Sequence, residues 1–372
     1  MPDGSSVSAL LPGARKGRGA VSNPAIRYES ISREAFDDGW DSLAELADLP
    51  PLPTTLVKER ARSALTFNSS PDIGFDRSIN PYRGCEHGCV YCYARPSHAT
   101  IGYSPGLDFE TKLLFKPDLP ALLEKELRRP GYVPKPVALG ANTDPYQPIE
   151  RTLLLTRQVL EVLERFGHPV TIVTKSAGVL RDLDILTRMA QRNLVHVCLS
   201  VTTLDAALAR RMEPRAATPL RRLQAINALA RVGIPTGVLA APMIPGLNDA
   251  ELERILSESC KAGATRAGYV LLRLPLEIRE MFEDWVRAHF PDRAARILAL
   301  VRETRGGAMY DSRFGTRQTG TGAYADMLAS RFHLMARKLG FGGSRVVSQA
   351  LDCSQFAPPP ETPAPARQLE LL

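Results

Sequence analysis

From about residue 136 to residue 304, short apolar runs alternate with longer segments of helical periodicity. PVALGA (136–141), PVTIVTKS (169–176), VHVCLSVTT (195–203), PTGVLAAPMI (235–244) and GYVLLRL (268–274) read as strands. Between them the pattern predicts helices over 151–166, 183–191, 219–232 and 249–262, the last with Asn248 or Asp249 as N-cap. Two further helices fit 276–289 and 291–304, and one more fits 323–339. Strands separated by single helices imply right-handed βαβ units and a parallel sheet. With one strand ahead of residue 85, the count is about six units. A partial or complete α/β barrel, or a doubly wound sheet, satisfies that pattern. In each of these the chemistry sits at the C-terminal ends of the strands.

The flanks are different. Residues 1–30 are rich in Gly, Ser, Pro and basic residues, without periodicity. A weak amphipathic helix over 37–49 is broken by LPPLPTT (49–55), and ARSALTFN (61–68) reads as an extended lead-in. From Pro358 the chain is Pro-rich. The expected division is a partly disordered N-terminal arm (1–65), a core barrel (66–305), a C-terminal substrate-side extension (306–345) and a Pro-rich tail (346–372). Apolar residues at 44% and charged residues at 23% of the 372 exclude wholesale disorder and a membrane bundle. The N-terminus lacks the pattern of a signal peptide, so the expected location is cytoplasmic, with no membrane partner.

The six cysteines are unevenly placed. Cys85, Cys89 and Cys92 crowd into NPYRGCEHGCVYCYARPSH (80–98), whereas Cys198, Cys260 and Cys353 are scattered. The scattered three read as buried small apolar residues, or, for Cys353, as part of an exposed tail. C-x3-C-x2-C offers three thiolates from one loop, and Gly84 and Gly88 permit a tight backbone. An iron–sulfur cluster held by three cysteines leaves one iron open for a small molecule. A zinc site would need a fourth ligand, such as His87 or His98.

With Tyr91 just before the last cysteine, this motif resembles the signature of the radical S-adenosylmethionine (radical SAM) enzymes. TDPYQPIE (143–150), VTKS (173–176), MEPRAATPLRRL (212–223) and APMIPGLND (241–249) resemble the spore photoproduct lyase-like, or DNA repair photolyase-like, branch. The resemblance implies an α/β fold: a partial (βα)6 TIM-like barrel with a helical C-terminal extension and flexible termini. It implies a [4Fe-4S] cluster on Cys85, Cys89 and Cys92, with S-adenosyl-L-methionine on the open iron. One-electron reduction by a flavodoxin- or ferredoxin-like partner would cleave that cofactor to a 5′-deoxyadenosyl radical, which abstracts hydrogen from substrate in a lyase-like reaction. The family's cofactor contacts fall on Asn142, Thr143 and Asp144 after the second strand and Lys175 after the third. They continue with Ser200 and Thr202 ending the fourth and Ala240 on the fifth, with Tyr91 and Tyr93 beside the cluster. The turn GANTDP departs from the family's Gly-Gly-Glu-like pattern.

The substrate is less constrained. Spore photoproduct lyase uses a donor cysteine after the second strand. Here no cysteine lies between Cys92 and Cys198, and Asn142 occupies the matching stretch. Tyr146 could donate hydrogen, or could simply be packed. The formal charge of +7 and the basic segments at 210–222 and 302–317 point to a nucleic acid or nucleotide. The missing donor cysteine keeps a small molecule or peptide open. A zinc-stabilised nucleic-acid-binding protein without catalysis is the alternative from another class.

Overall fold

The computed structural model describes residues 17–21, 23–28, 52–341 and 351–360. The expected helix over 37–49 lies outside the described residues. Among the described residues ten strands form two sheets: β1 (Thr55–Lys58), β2 (Thr66–Phe67), β3 (Arg77–Ile79), β4 (Tyr82–Arg83), β5 (Lys112–Phe115), β6 (Val137–Leu139), β7 (Val170–Thr174), β8 (Val195–Ser200), β9 (Thr236–Met243) and β10 (Arg266–Leu271). The main sheet runs β10-β9-β8-β7-β6-β3-β2. Its six strands from β3 to β10 pair in parallel, and β2 adds an antiparallel edge. This is the expected partial (βα)6 barrel. A small sheet, β1-β5-β4, stands beside it.

The apolar runs become strands because parallel strands are covered on both faces. All six residues of β8 are buried, and its register (Ile172 with Val197, Cys198 with Gly237) interleaves β-branched and small side chains. The helices start where the sequence provides caps. Thr218 caps Pro219–Arg231 with proline in the first turn, and Asp205 accepts from the amides of Ala207 and Leu208 ahead of Ala206–Met212.

Two local expectations are corrected. The segment 151–166 is two helices, Glu150–Leu153 and Leu155–Arg165, parted at Leu154 with φ of 54°. The buried Glu150 carboxylate accepts from the Thr156 amide at 3.0 Å, so the first helix caps the second across the break. Asn248 does not cap its helix with its side chain. It accepts from the Ile244 amide at 2.6 Å and donates to the carbonyls of Thr202 (2.7 Å) and Pro242 (2.9 Å), and the helix begins at Leu252. Helices Leu107–Thr111, Leu119–Leu127 and Ala206–Met212 had no assignment from the sequence pattern.

Parts of both end segments dock on the core. Arg18, Gly19, Ala20 and Val21 are buried. At the other end, the Phe356 ring packs on Phe166, Tyr132 and His168, and the half-buried Cys353 lies in the same segment. Among the described residues no helix is long and apolar enough to cross a membrane.

Candidate metal centre

The cysteine loop follows β3 and β4 and is held from three sides. From the first, the Cys85 amide donates to the Phe109 carbonyl at 2.9 Å, and Arg95, fully buried, donates to the Cys89 carbonyl at 2.9 Å. Arg95 also pairs with Glu110 at 2.5 Å, and Glu110 accepts from the amides of Gly19 (2.9 Å) and Ala20 (2.8 Å). The approach is so close that a Cβ on Gly19 would lie 1.7 Å from the Gly88 carbonyl oxygen. Gly88, at φ of 69°, has the Glu110 carboxylate 2.8 Å from where its own Cβ would be, so only glycine fits there.

The second side is the segment after β6. Gln147 accepts from the Glu86 amide at 2.9 Å and donates to the Gly84 carbonyl at 3.2 Å. Asp144 lies 3.3 Å from His87 Nδ1 and accepts from the Lys175 amide (2.8 Å) and the Thr174 hydroxyl (2.7 Å). Burial disfavours this carboxylate's charge, but His87 and these donors outweigh it and hold the pKa at about 2.

The third side is the MEPR segment, 212–215. The Val90 amide donates to the Met212 carbonyl, and the Arg215 amide to the His87 carbonyl. Glu213, fully enclosed, accepts from the Tyr91 hydroxyl, from Thr202 Oγ1 at 2.6 Å and from Arg222. The sequence grouped Arg222 with a basic patch; the structure turns it inward, 1% exposed, as the partner of Glu213.

The expected site residues distribute as follows. Lys175 places its ammonium 5.7 Å from the centre of the Tyr91 ring. Ser200 and Thr202, both buried, donate to the Ala241 carbonyl at 3.0 and 3.2 Å, on one side of the strand end. Ala240 is fully buried within β9. Thr143 donates to the Tyr82 carbonyl at 3.0 Å, and the Asn142 amide donates to Asn80 Oδ1 at 3.1 Å. Tyr93 is 48% exposed and its hydroxyl donates to the Ala141 carbonyl. Tyr146 is buried and donates to Asp182 at 3.0 Å, inside a network with Arg181 and Glu150. Its hydroxyl is held up by burial and by the Asp182 charge.

The three thiols are free, Cys85 and Cys89 buried and Cys92 half-buried on the same loop. Burial pushes the Cys85 and Cys89 thiols up, so a metal would have to displace their protons. Soft sulfur donors on a glycine-bearing loop suit an iron–sulfur cluster. The zinc alternative finds no comparable support. His98 is engaged at Nε2 with the Lys112 carbonyl (2.8 Å) and His87 faces Asp144. No group of three or more His, Cys, Asp or Glu among the described residues, the three cysteines included, is arranged around a single ion.

Residues 79–258 match the Radical SAM superfamily. An uncharacterized protein of Mycobacterium tuberculosis is 37% identical over 232 residues, 62% of this chain and 68% of its own. The chain belongs to the Radical SAM superfamily. An uncharacterized protein of Methanocaldococcus jannaschii is 28% identical over 196 residues, 53% of this chain and 70% of its own. Among solved structures, spore photoproduct lyase complexed with dinucleoside spore photoproduct has the same fold, with a TM-score of 0.55 at 18% identity over 76% of this chain and 79% of that one. A variant of that lyase with bound AdoMet and dinucleoside spore photoproduct gives 0.56 at 16% identity, over 79% and 85%. As a radical SAM enzyme, the protein is of a family whose members use a [4Fe-4S] cluster and S-adenosylmethionine.

Contacts around the loop were beyond the sequence reading. Glu213, Glu110, Arg95 and Gln147 fix the cysteines, yet nothing in their spacing marks them. The one signal in the sequence is the MEPR segment, which carries Glu213.

Proposed function

We propose that this radical SAM enzyme acts on a nucleic acid or nucleotide in a lyase-like reaction, with its cluster on Cys85, Cys89 and Cys92. When bound, the cluster and S-adenosylmethionine together supply a 5′-deoxyadenosyl radical that takes a hydrogen atom from substrate. Everything else is the work of this chain's side chains. Lys175, at the end of β7 beside Tyr91, offers a point charge to the carboxylate of the methionine moiety. Asp144 stays ionised and fixes the turn that carries Asn142 and Thr143. Ser200 and Thr202 present their strand end towards the ribose, and Tyr91, locked by Glu213 and Thr202, walls the loop. Cys89, Val90 and Tyr91 pack with Met212, Leu272 and Ile244 in an apolar cluster, which keeps water from the reacting centre. A one-electron donor of the flavodoxin or ferredoxin type supplies the reducing equivalent.

The observation that carries this reading is the C-x3-C-x2-C loop that follows β3, the first of six parallel strands, and is braced by the segments after β6 and β8. The nucleic-acid part is supported by the net charge of +7 and by the fold shared with a lyase solved with a dinucleoside ligand. Asn142 stands where that branch has its donor cysteine, which favours a different hydrogen donor or a different lesion. The test is S-adenosylmethionine turnover by the reconstituted enzyme with cell-extract fractions, before and after nuclease treatment. Stimulation that nuclease abolishes is expected. Stimulation that survives nuclease and follows a small-molecule fraction would refute the substrate class.

A further inference from the structure

The arginines packed around the cysteine loop and strand ends have oxygen partners. Arg18 reaches the carbonyls of Glu110 and Leu52, Arg95 and Arg222 sit on buried carboxylates, and Arg215 pairs with Glu86 at 3.0 Å. The glycine-rich segment 302–322 follows the same rule. Arg305 donates to the carbonyls of Leu271, Leu272, Thr316 and Arg317, Arg313 pairs with Asp311, and Arg317 pairs with Asp72. That segment therefore folds over the end of β10 and is not a free phosphate cradle.

Arg273 is different. It lies two residues beyond β10, on the face where the strands end. Its Nε is buried without a hydrogen-bond partner, and among the described residues its guanidinium has no carboxylate partner. The centre of the Tyr93 ring lies 5.6 Å from its central carbon. Tyr93 follows Cys92 directly, and its hydroxyl is tied to Ala141 beyond the end of β6. The ring is half-exposed, so this face of the strand ends is open to an incoming molecule. Arg305 is close enough that its pKa falls to about 10, through burial first and then the charge of Arg273. Two neighbouring guanidiniums, each with its Nε buried and unpaired, leave an excess of positive charge at these strand ends. A cation–π contact compensates only part of that desolvation.

We infer that Arg273, backed by the Tyr93 ring, binds a phosphate oxygen of the substrate at the open end of the barrel. A guanidinium fork suits a phosphodiester, whose negative charge would relieve the repulsion from Arg305. Tyr93 orients the fork, and Arg305 holds the β10 end beneath it. This rests on the proposed nucleic-acid or nucleotide substrate and names the residue that meets its phosphate.

The test uses the anaerobically reconstituted full chain and a fluorescein-labelled octathymidylate single strand, with affinity measured across a salt series. Arg273→Gln is expected to weaken binding about tenfold and to flatten the slope of log affinity against log salt by roughly 0.7. Arg273→Lys is expected to keep the slope while losing affinity, because charge survives and the fork does not. Arg210→Gln, on an exposed helix face, is expected to change affinity much less. Unchanged affinity and slope in Arg273→Gln, or an equal loss in Arg210→Gln, overturns the assignment while leaving the substrate class standing. Lost S-adenosylmethionine affinity in Arg273→Gln, with oligonucleotide affinity intact, overturns it in favour of the cofactor's carboxylate. Failure of the wild-type chain to bind the strand at all overturns both the assignment and the substrate class.

Discussion

Glu213 shows how much of this site rests on single buried groups. Its side chain is fully enclosed, and three groups converge on it: Tyr91, Thr202 and Arg222. Truncating one member of a buried ion pair leaves the other charge without compensation. Glu213→Ala is therefore expected to lower stability by about 3–5 kcal/mol, read from the urea midpoint. The apolar pair Glu213→Leu with Arg222→Met should recover most of that loss, because neither charge is then stranded. The sequence displayed this carboxylate only as one acid among arginines. Its partner Tyr91 lies 122 residues away, a separation that no local pattern encodes. His168 gives a second residue-scale prediction, away from the cysteines. It is buried, with Nδ1 facing the Pro169 carbonyl (3.0 Å) and Nε2 facing the Tyr132 hydroxyl (2.8 Å). Burial lowers its pKa from 6.5 to about 4, so it stays neutral in the folded chain. Between those values the unfolded chain binds the extra proton and the folded chain does not. The contribution to stability is full above about 6.5 and falls away as pH drops towards 4. In His168→Gln, the stability lost between those pH values should shrink by about 2–3 kcal/mol, checked by denaturation at stepped pH.

At the scale of elements, the strands were legible and the clamps were not. β6 to β10 are short, largely apolar runs, and they fall within the runs read from the sequence, or within two residues of them. The break at Leu154 was hidden because apolar residues continue through it, while the interaction that stabilises it comes from Glu150 capping the next helix. The docking of residues 17–21 was hidden too. Low-complexity composition reads as a free arm, whereas here two backbone amides meet the Glu110 carboxylate in the space left by Gly19. Gly19→Ala is expected to lift this segment from the cysteine loop, since its Cβ would lie 1.7 Å from the Gly88 carbonyl oxygen. Amide exchange at positions 19 and 20 should then accelerate at least about tenfold while strand amides keep their protection. Unchanged exchange at both positions would show that the contact does not hold the segment down.

For the whole molecule, the decisive relation is between sheet and loop. An incomplete barrel of six parallel strands leaves its C-terminal ends open, and three separate segments converge there to brace one cysteine loop. The superfamily was legible from C-x3-C-x2-C because three thiols on one tight loop are a local feature, fixed by spacing alone. The substrate side was less legible, since charge in a sequence does not reveal which arginines turn inward. Arg222 and Arg305, both counted towards basic segments, are buried against protein oxygens, while Arg273 drew no notice. The central claim is that Cys85, Cys89 and Cys92 hold a cluster with an open iron. Counting iron, acid-labile sulfide and zinc in the anaerobically reconstituted chain tests it most directly. The account predicts about four irons and four sulfides per chain, lost in Cys89→Ala. A colourless protein with a single zinc and no sulfide would contradict it.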